Sequence, residues 1–374
     1  MRVALVHYWL LGMRGGEKVL EALCRMFPEA DIFTLFYDPE RVSETIRAHR
    51  VSASWLNPLR RGYRRLLPLM PMALESFDLR AYDLIISSES GPSKGVLTHS
   101  AARHICYCHT PMRYLWDLYP AYRNEWTRSR LTRALMTPLS SWLRLWDYAS
   151  AARVDEFIAN SKNVQRRIAH VWRRDSQVIY PPVDVGSFHT EPAEDYFLIV
   201  SELVAYKRIA TAVRVFSERG LRLRIVGDGP EYRPLRAMAG PNIEFCGRVS
   251  YFDLRTLYAR CRALVVPGEE DFGIATVEAL ASGKPVIALG RGGSAEIVPA
   301  HLDAGILYRD ASEEGLEEAL ARFQAIENRV RPRELRAWSE RFDESVFRRE
   351  MQVVIQGAIR STADRRAHPE IVEA

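Results

Sequence analysis

Val265–Val298 reads VVPGEEDFGIATVEALASGKPVIALGRGGSAEIV, and its apolar runs punctuated by glycines decide the fold. Ala263–Pro267 is a β-branched, apolar run that predicts a buried strand, and Gly268–Phe272 turns the chain. A helix is expected to open at Gly273-Ile274 and to run through Val277, Leu280 and Ala281. Gly283 suits the position just past its end, and Pro285 prevents continuation. Pro285–Leu289 predicts a second strand, Gly290–Gly293 a second glycine-rich turn, and Ser294 the cap of a second helix. Two successive β–loop–α units of one parallel sheet bring both helix N-termini to the sheet edge where ligands bind. Free backbone N–H groups and the positive end of a helix dipole at such an edge hold a phosphate or diphosphate. Glu270 in the first loop and Glu278 on the helix would repel phosphate but accept charge-assisted hydrogen bonds from sugar hydroxyls. Amides for a diphosphate, flanked by carboxylates for sugar and ribose, describe a nucleotide-sugar site.

The 374 residues exceed one ordinary core, so two domains are expected, and 47% hydrophobic with 26% charged residues is globular composition. We place the first domain at 1–184, the second at 185–345, and a crossover helix with a polar tail at 346–374. Five cysteines, an odd number, with no secretory signature, point to a reducing cytoplasmic location. Cys106 and Cys108 share one face of an expected strand, but no matching pair accompanies them, so a metal site is not expected. No apolar run reaches the roughly 18 residues of a membrane span. The net charge of +5 divides into +9 for residues 1–180 and −4 for the rest, and seven of eight tryptophans precede residue 181. A basic, tryptophan-rich first half beside an acidic second half suggests different partners for each.

At the N-terminus, a strand at Arg2–His7, a loop ending in Gly15-Gly16 and a helix at Glu17–Phe27 form another βα unit. The glycine pair serves either a ligand or a tight turn. Further on, Leu56, Leu59, Tyr63, Leu66, Leu67 and Met70 share one face of an expected helix, while Arg60, Arg61, Arg64 and Arg65 crowd the other. Such a helix lies in an anionic membrane interface or packs on its own domain. His109 ends the strand Arg103–Cys108 and is followed by an aromatic, arginine-rich segment. This runs from Met112 to Tyr148 and includes Arg113, Tyr114, Trp116, Trp126 and Arg128. It reads as an insertion with an aromatic core or as an acceptor platform, aromatic faces for sugars and arginines for a lipid diphosphate. No RRM, KH or OB signature accompanies it, so nucleic acid is not an expected partner. In the second domain Lys207 and Arg208 stand at a strand–helix junction, placed to neutralise a diphosphate. Gly227-Asp228-Gly229 and Gly247-Arg248 end two further strands.

Glu270-Asp271-Phe272-Gly273-Ile274, then Glu278-Ala279, then Gly283-Lys284-Pro285-Val286-Ile287 resembles the E-x7-E signature of family-4 retaining glycosyltransferases. Gly290-Arg291-Gly292-Gly293 with Glu296 resembles the O-antigen-type mannosyltransferase branch of that family. The resemblance covers nearly the whole chain and is strongest at 196–298. It implies an α/β, GT-B fold: two Rossmann-like domains facing across a cleft, the C-terminal helix crossing back to the first. It implies catalytic roles for His109, Lys207, Arg208 and Glu270. Donor binding would fall to Gly15, Gly16, Gly227, Arg248, Phe272, Gly273, Ile274 and Glu278. Acceptor or membrane contact would fall to Arg60, Arg61, Arg64, Arg65, Arg113, Tyr114 and Trp116. The family commonly carries an arginine five residues before the lysine, where this chain has Glu202, so Arg208 would supply the second cation. No Asp-x-Asp pair suggests a metal-bridged diphosphate, and no cofactor is expected. The implied reaction is α-mannose transfer from GDP-mannose to a polyprenyl-diphosphate-linked glycan, by a peripheral protein on the inner membrane face. A GT-B nucleotide-sugar epimerase and a non-catalytic nucleotide-sugar-binding membrane adaptor are the alternatives.

Overall fold

Apolar runs without alternation make strands buried on both faces, which in turn requires helices above and below a parallel sheet. The computed structural model describes residues 1–127 and 129–367, apart from the side chains of 125, 126 and 361–367. Arg128, Trp126 and the end of the polar tail therefore lie outside the described residues or side chains. The chain divides into two compact units, Met1–Tyr180 with Phe347–Ala374, and Pro181–Val346.

The first unit holds seven strands: β1 (Val3–His7), β2 (Asp31–Thr34), β3 (Val51–Ala53), β4 (Leu84–Glu89), β5 (Arg103–Cys108), β6 (Glu156–Ala159) and β7 (Gln177–Val178). Their order is β3-β2-β1-β4-β5-β6-β7, and every pairing is parallel. Period-two geometry sends Leu5, Ile86 and Ile105 to one face and Ala4, Val6 and Ile85 to the other. The first face packs on Leu20 and Leu23 of the Gly15–Met26 helix and on Phe347, Met351 and Val354 of the C-terminal helix Glu344–Ala367. The other face packs on Leu56, Met70 and Leu74.

The second unit holds six: β8 (Phe197–Val200), β9 (Leu223–Val226), β10 (Ile243–Gly247), β11 (Leu264–Val266), β12 (Val286–Leu289) and β13 (Gly305–Tyr308). Their order is β10-β9-β8-β11-β12-β13, again parallel throughout. Phe197, Ile199, Ile225 and Val265 pack on Ala212, Phe216 and Phe323. In both sheets the winding reverses beside the first strand, between β1 and β4 and between β8 and β11. At these points the loops diverge to opposite faces and leave a crevice at the C-terminal strand ends, where ligands of doubly wound sheets bind.

Three local expectations change. Asn57–Leu69 is a 3-10 helix interrupted by non-helical backbone at Gly62, not an α-helix. Pro68, inside the segment, lacks the N–H that α-helical pairing requires, and Gly62 tolerates the break. The division of faces holds in part: the four arginines are exposed and Leu56, Tyr63, Leu66, Leu67 and Met70 pack inward, but Leu59 is 56% exposed. Gly15 and Gly16 are the first residues of the helix rather than the end of a loop. Ser294 also lies inside its helix, after the N-cap Gly293. β3 and β7 were not legible as strands, being too short at three and two residues to display a pattern.

Candidate active site

The loops after β8 and β11 meet at the reversal point of the second sheet, and glycine makes the meeting possible. A Cβ on Gly268 would lie 2.6 Å from the Lys207 carbonyl oxygen, so only a bare Cα lets the two backbones cross. Crossing brings Lys207 and Glu270, 63 positions apart in sequence, into a direct ion pair. Their side chains are 15% and 19% exposed, so the pair is largely shielded from water. Burial disfavours the Lys207 charge, but the Glu270 carboxylate, with Tyr206 and Asp271, outweighs it and raises the ammonium pKa. Lys207 is therefore a fixed positive charge at neutral pH. Its neighbours in the crevice include Ser201, Gly268, Gly273, Ala275 and Thr276.

Gly273 is the N-cap of the Ile274–Ala281 helix, with φ 102 in the left-handed region that favours glycine. Gly273, Ala275 and Thr276 line the crevice, so the N-terminus of this helix borders it. The second glycine turn is stitched to the first: Gly293 N–H donates to the Glu270 carbonyl at 2.8 Å. A Cβ on Gly293 would collide with the Phe272 carbonyl. The hydroxyls of Thr276 and Ser294, at the starts of the two helices, are buried without a hydrogen-bond partner among the described residues. Buried hydroxyls of this kind are satisfied by a ligand or by water. Glu278, four residues along the helix, is 4% exposed and accepts a 2.9 Å hydrogen bond from the Tyr258 hydroxyl. Burial and the carboxylate together push the Tyr258 phenol far above its ordinary pKa, so it remains a donor.

The other expected donor residues stand at the same strand ends. Gly227 follows β9 with φ 133 and donates to the Gly247 carbonyl at 2.8 Å. Arg248 is 73% exposed and 3.7 Å from Asp228. Arg208 caps the Ile209–Arg219 helix with left-handed backbone, φ 55, and its guanidinium donates to the Ala311 carbonyl at 2.6 Å. Lys207 and Glu270 are thus brought together, whereas the Arg208 side chain is held by a neighbouring loop.

At the edge of the first sheet, His109 follows β5 and its Nε2 is 2.8 Å from the Ser88 hydroxyl on β4. Burial, and then the neighbouring His7, push its pKa down to about 3, so the imidazole is neutral. Gly16 sits between Tyr8 and His109: a Cβ there would strike the Tyr8 hydroxyl and come within 3.5 Å of His109 Nε2. His7 is fully buried at the end of β1, neither ring nitrogen has a hydrogen-bond partner among the described residues, and Glu17 lies 3.9 Å away. Sequence reasoning missed His7, although its place at a strand's C-terminal end is the same signal that singled out His109. Thr276 and Tyr258 were also missed, their positions being set by packing that no spacing reveals. Arg113 pairs with Asp117 at 3.3 Å, Tyr114 is half-buried against Tyr122, and the Trp116 indole donates to Asp147 at 2.8 Å.

The sequence matches the family model described as Glycosyltransferase Family 4 over residues 13–187 and that described as Glycosyl transferases group 1 over residues 187–340. It is 30% identical over 151 residues to the O-antigen chain mannosyltransferase RfbU of Salmonella typhimurium, 37% of this chain and 43% of that protein. It is 30% identical over 149 residues to an uncharacterised glycosyltransferase of Methanocaldococcus jannaschii, 38% of this chain and 42% of that protein. A GDP-mannose-dependent alpha-mannosyltransferase of Corynebacterium glutamicum is 36% identical over 100 residues, 26% of this chain and 24% of that protein. The chain thus spans less than half the length of these curated relatives. Among solved structures, sucrose-phosphate synthase from Thermosynechococcus elongatus superposes with TM-score 0.71 at 18% identity, over 96% of this chain and 100% of that one. Anabaena HepE, solved with UDP and glucose, gives 0.69 at 16% identity over 94% and 99%. These likenesses identify the GT-B fold. With two glycosyltransferase models meeting at residue 187, the chain belongs to the glycosyltransferases, a family 4 domain followed by a group 1 domain.

Proposed function

We propose that the chain is a retaining mannosyltransferase that moves α-mannose from GDP-mannose to a polyprenyl-diphosphate-linked glycan. The observation that carries this reading is the Lys207–Glu270 pair at the reversal point of the second sheet, beside the Gly273-capped helix N-terminus. A cation and helix amides suit the leaving diphosphate, and a carboxylate beside them suits the hydroxyls of the transferred sugar. The E-x7-E spacing gives Glu278 to the ribose, with Tyr258 fixing its orientation. Mannose as the sugar is supported by the two mannosyltransferase relatives.

In the reaction, the bond between sugar C1 and the donor phosphate oxygen breaks as the acceptor oxygen bonds to C1 on the same face. The departing phosphate oxygen takes the acceptor proton. Lys207 meets the charge that builds on that diphosphate, with Arg208 as second cation once its guanidinium leaves the Ala311 carbonyl. Preorganised charge of this kind acts where charge develops in the transition state. His109, neutral and held by Ser88, would line the sugar at the first domain's edge. Arg113, Tyr114 and Trp116 would serve the acceptor, and Arg60, Arg61, Arg64 and Arg65 would meet an anionic membrane face.

Incubation with labelled GDP-mannose and a membrane lipid extract tests the assignment. Label in the organic phase supports transfer. An altered free donor would instead indicate an epimerase, and binding without turnover a non-catalytic adaptor. UDP-glucose and UDP-galactose offered in parallel test the choice of donor.

A further inference from the structure

The Arg130–Ser150 helix exposes a face that a free-standing domain normally hides. Leu131, Leu135, Trp142 and Leu145 are 71%, 59%, 44% and 69% exposed. Their spacing of four, seven and three residues keeps them on one stripe, roughly 21 Å long, of this 21-residue helix. The opposite face, Ser140, Leu143, Asp147 and Ser150, is buried.

The helix is not free to roll and cover the stripe, because Asp147 pins it. This fully buried carboxylate is paired with the fully buried Lys94 ammonium. Its second oxygen accepts the indole N–H groups of Trp116 and Trp172, both at 2.8 Å. Arg144 adds a 3.0 Å hydrogen bond to the Leu115 carbonyl. The stripe's outward direction is therefore fixed by the fold. Charge identifies what covers it. The helix packs through Leu139 and Leu143 beside Leu67 of the Asn57–Leu69 segment. Across these two segments every side chain that is charged at neutral pH is an arginine, except the buried Asp147. Five of these arginines stand exposed, at 60, 61, 64, 65 and 130. An uncharged leucine–tryptophan stripe on a helix packed beside an exposed arginine cluster matches the layering of an anionic bilayer, acyl chains below and phosphates above.

We propose that the Arg130–Ser150 helix lies in the plane of an anionic lipid bilayer and inserts this stripe, while the arginines of 60–65 contact the headgroups. It deepens the peripheral-membrane part of the proposed function, and naming the inserted element is what it adds. Sedimentation of the full chain with phosphatidylcholine vesicles, with and without phosphatidylglycerol, tests it. The wild type should bind only the anionic vesicles. Leu135→Glu combined with Leu145→Glu should lower partitioning at least tenfold with an unchanged Tm, since both side chains are exposed. Replacing the four arginines of 60–65 with glutamine should remove the salt dependence, and Trp142→Phe should remove a lipid-induced blue shift from the tryptophan emission. Unchanged binding by the double-glutamate variant, with binding lost in the arginine variant, would overturn insertion and leave the arginine contact standing. No binding by the wild type would overturn both. Equal binding to neutral vesicles would overturn the charge argument. A lipid-free dimer abolished by the double-glutamate variant would reassign the stripe to a second copy of this chain.

Discussion

Glu270→Gln should tighten the binding of free GDP while it slows turnover, because the wild-type site spends its lysine on its own carboxylate. Two unit charges in contact at an effective dielectric of about 20 attract by roughly 4–5 kcal/mol before desolvation. The net value of a charged hydrogen bond is about 1.5–3 kcal/mol. Since Lys207 and Glu270 keep 15% and 19% exposure, water screens part of this, and the lower end applies. An arriving diphosphate must draw Lys207 away from Glu270, and glutamine, nearly isosteric but neutral, holds it less firmly. GDP affinity should therefore rise by up to about 1.5 kcal/mol, roughly tenfold in Kd. Turnover should fall by roughly thirtyfold or more, as about 2 kcal/mol of charged contact to the transferred sugar is lost in the transition state. Calorimetric titration with GDP, beside steady-state kinetics, separates the two effects. Weaker GDP binding by Glu270→Gln would refute the competition, and with it the placing of the diphosphate on Lys207.

Glu278→Ala should weaken GDP binding by about 1.5–3 kcal/mol, and equal losses in the Glu278 and Glu270 variants would defeat their division of labour. Lys207→Ala should lower kcat/KM at least tenfold, about 1.4 kcal/mol, and Arg208→Ala by a comparable amount; a wild-type rate for the latter would leave Lys207 as the sole cation. Gly268→Ala should lower stability by about 2 kcal/mol or more, read in urea unfolding, because the new methyl meets the Lys207 backbone. Glu89 is raised from its ordinary 4.5 to about 7, chiefly by burial, with Lys94 opposing. The folded chain then holds a proton that the unfolded chain loses, so this group's stabilisation is present below about pH 4.5 and declines as pH rises toward 7. Glu89→Gln should be neutral near pH 5 and stabilising, by roughly 1–3 kcal/mol, above pH 7. Unfolding curves at the two pH values check the sign.

Much of the second unit was legible because its strands and turns obey local rules. Gly273 opens its helix and Gly283, in left-handed backbone, lies just past the end, both where the spacing puts them. The glutamates of E-x7-E could be placed on loop and helix from sequence alone. What each one touches could not. The Lys207–Glu270 pair depends on two loops crossing over Gly268, and Tyr258 reaches Glu278 from a different helix. In the first unit the basic face of 57–69 was readable, but its broken 3-10 geometry follows from where Gly62 and Pro68 fall together. Asp147 shows the limit most clearly. A lone aspartate in an arginine-rich helix reads as a surface charge, yet it is buried and binds one lysine and two tryptophans.

The central claim is that this chain transfers mannose with retention of configuration, and the product's anomeric centre tests it most directly. Carbon-13-labelled GDP-mannose should be incubated with the chain and a membrane lipid extract, and the lipid-linked product examined by NMR at the labelled C1. The account predicts an α-mannosyl linkage, formed at least tenfold more slowly by Lys207→Ala. A β-linked product, or labelled mannose found only in free nucleotide sugars, would contradict it.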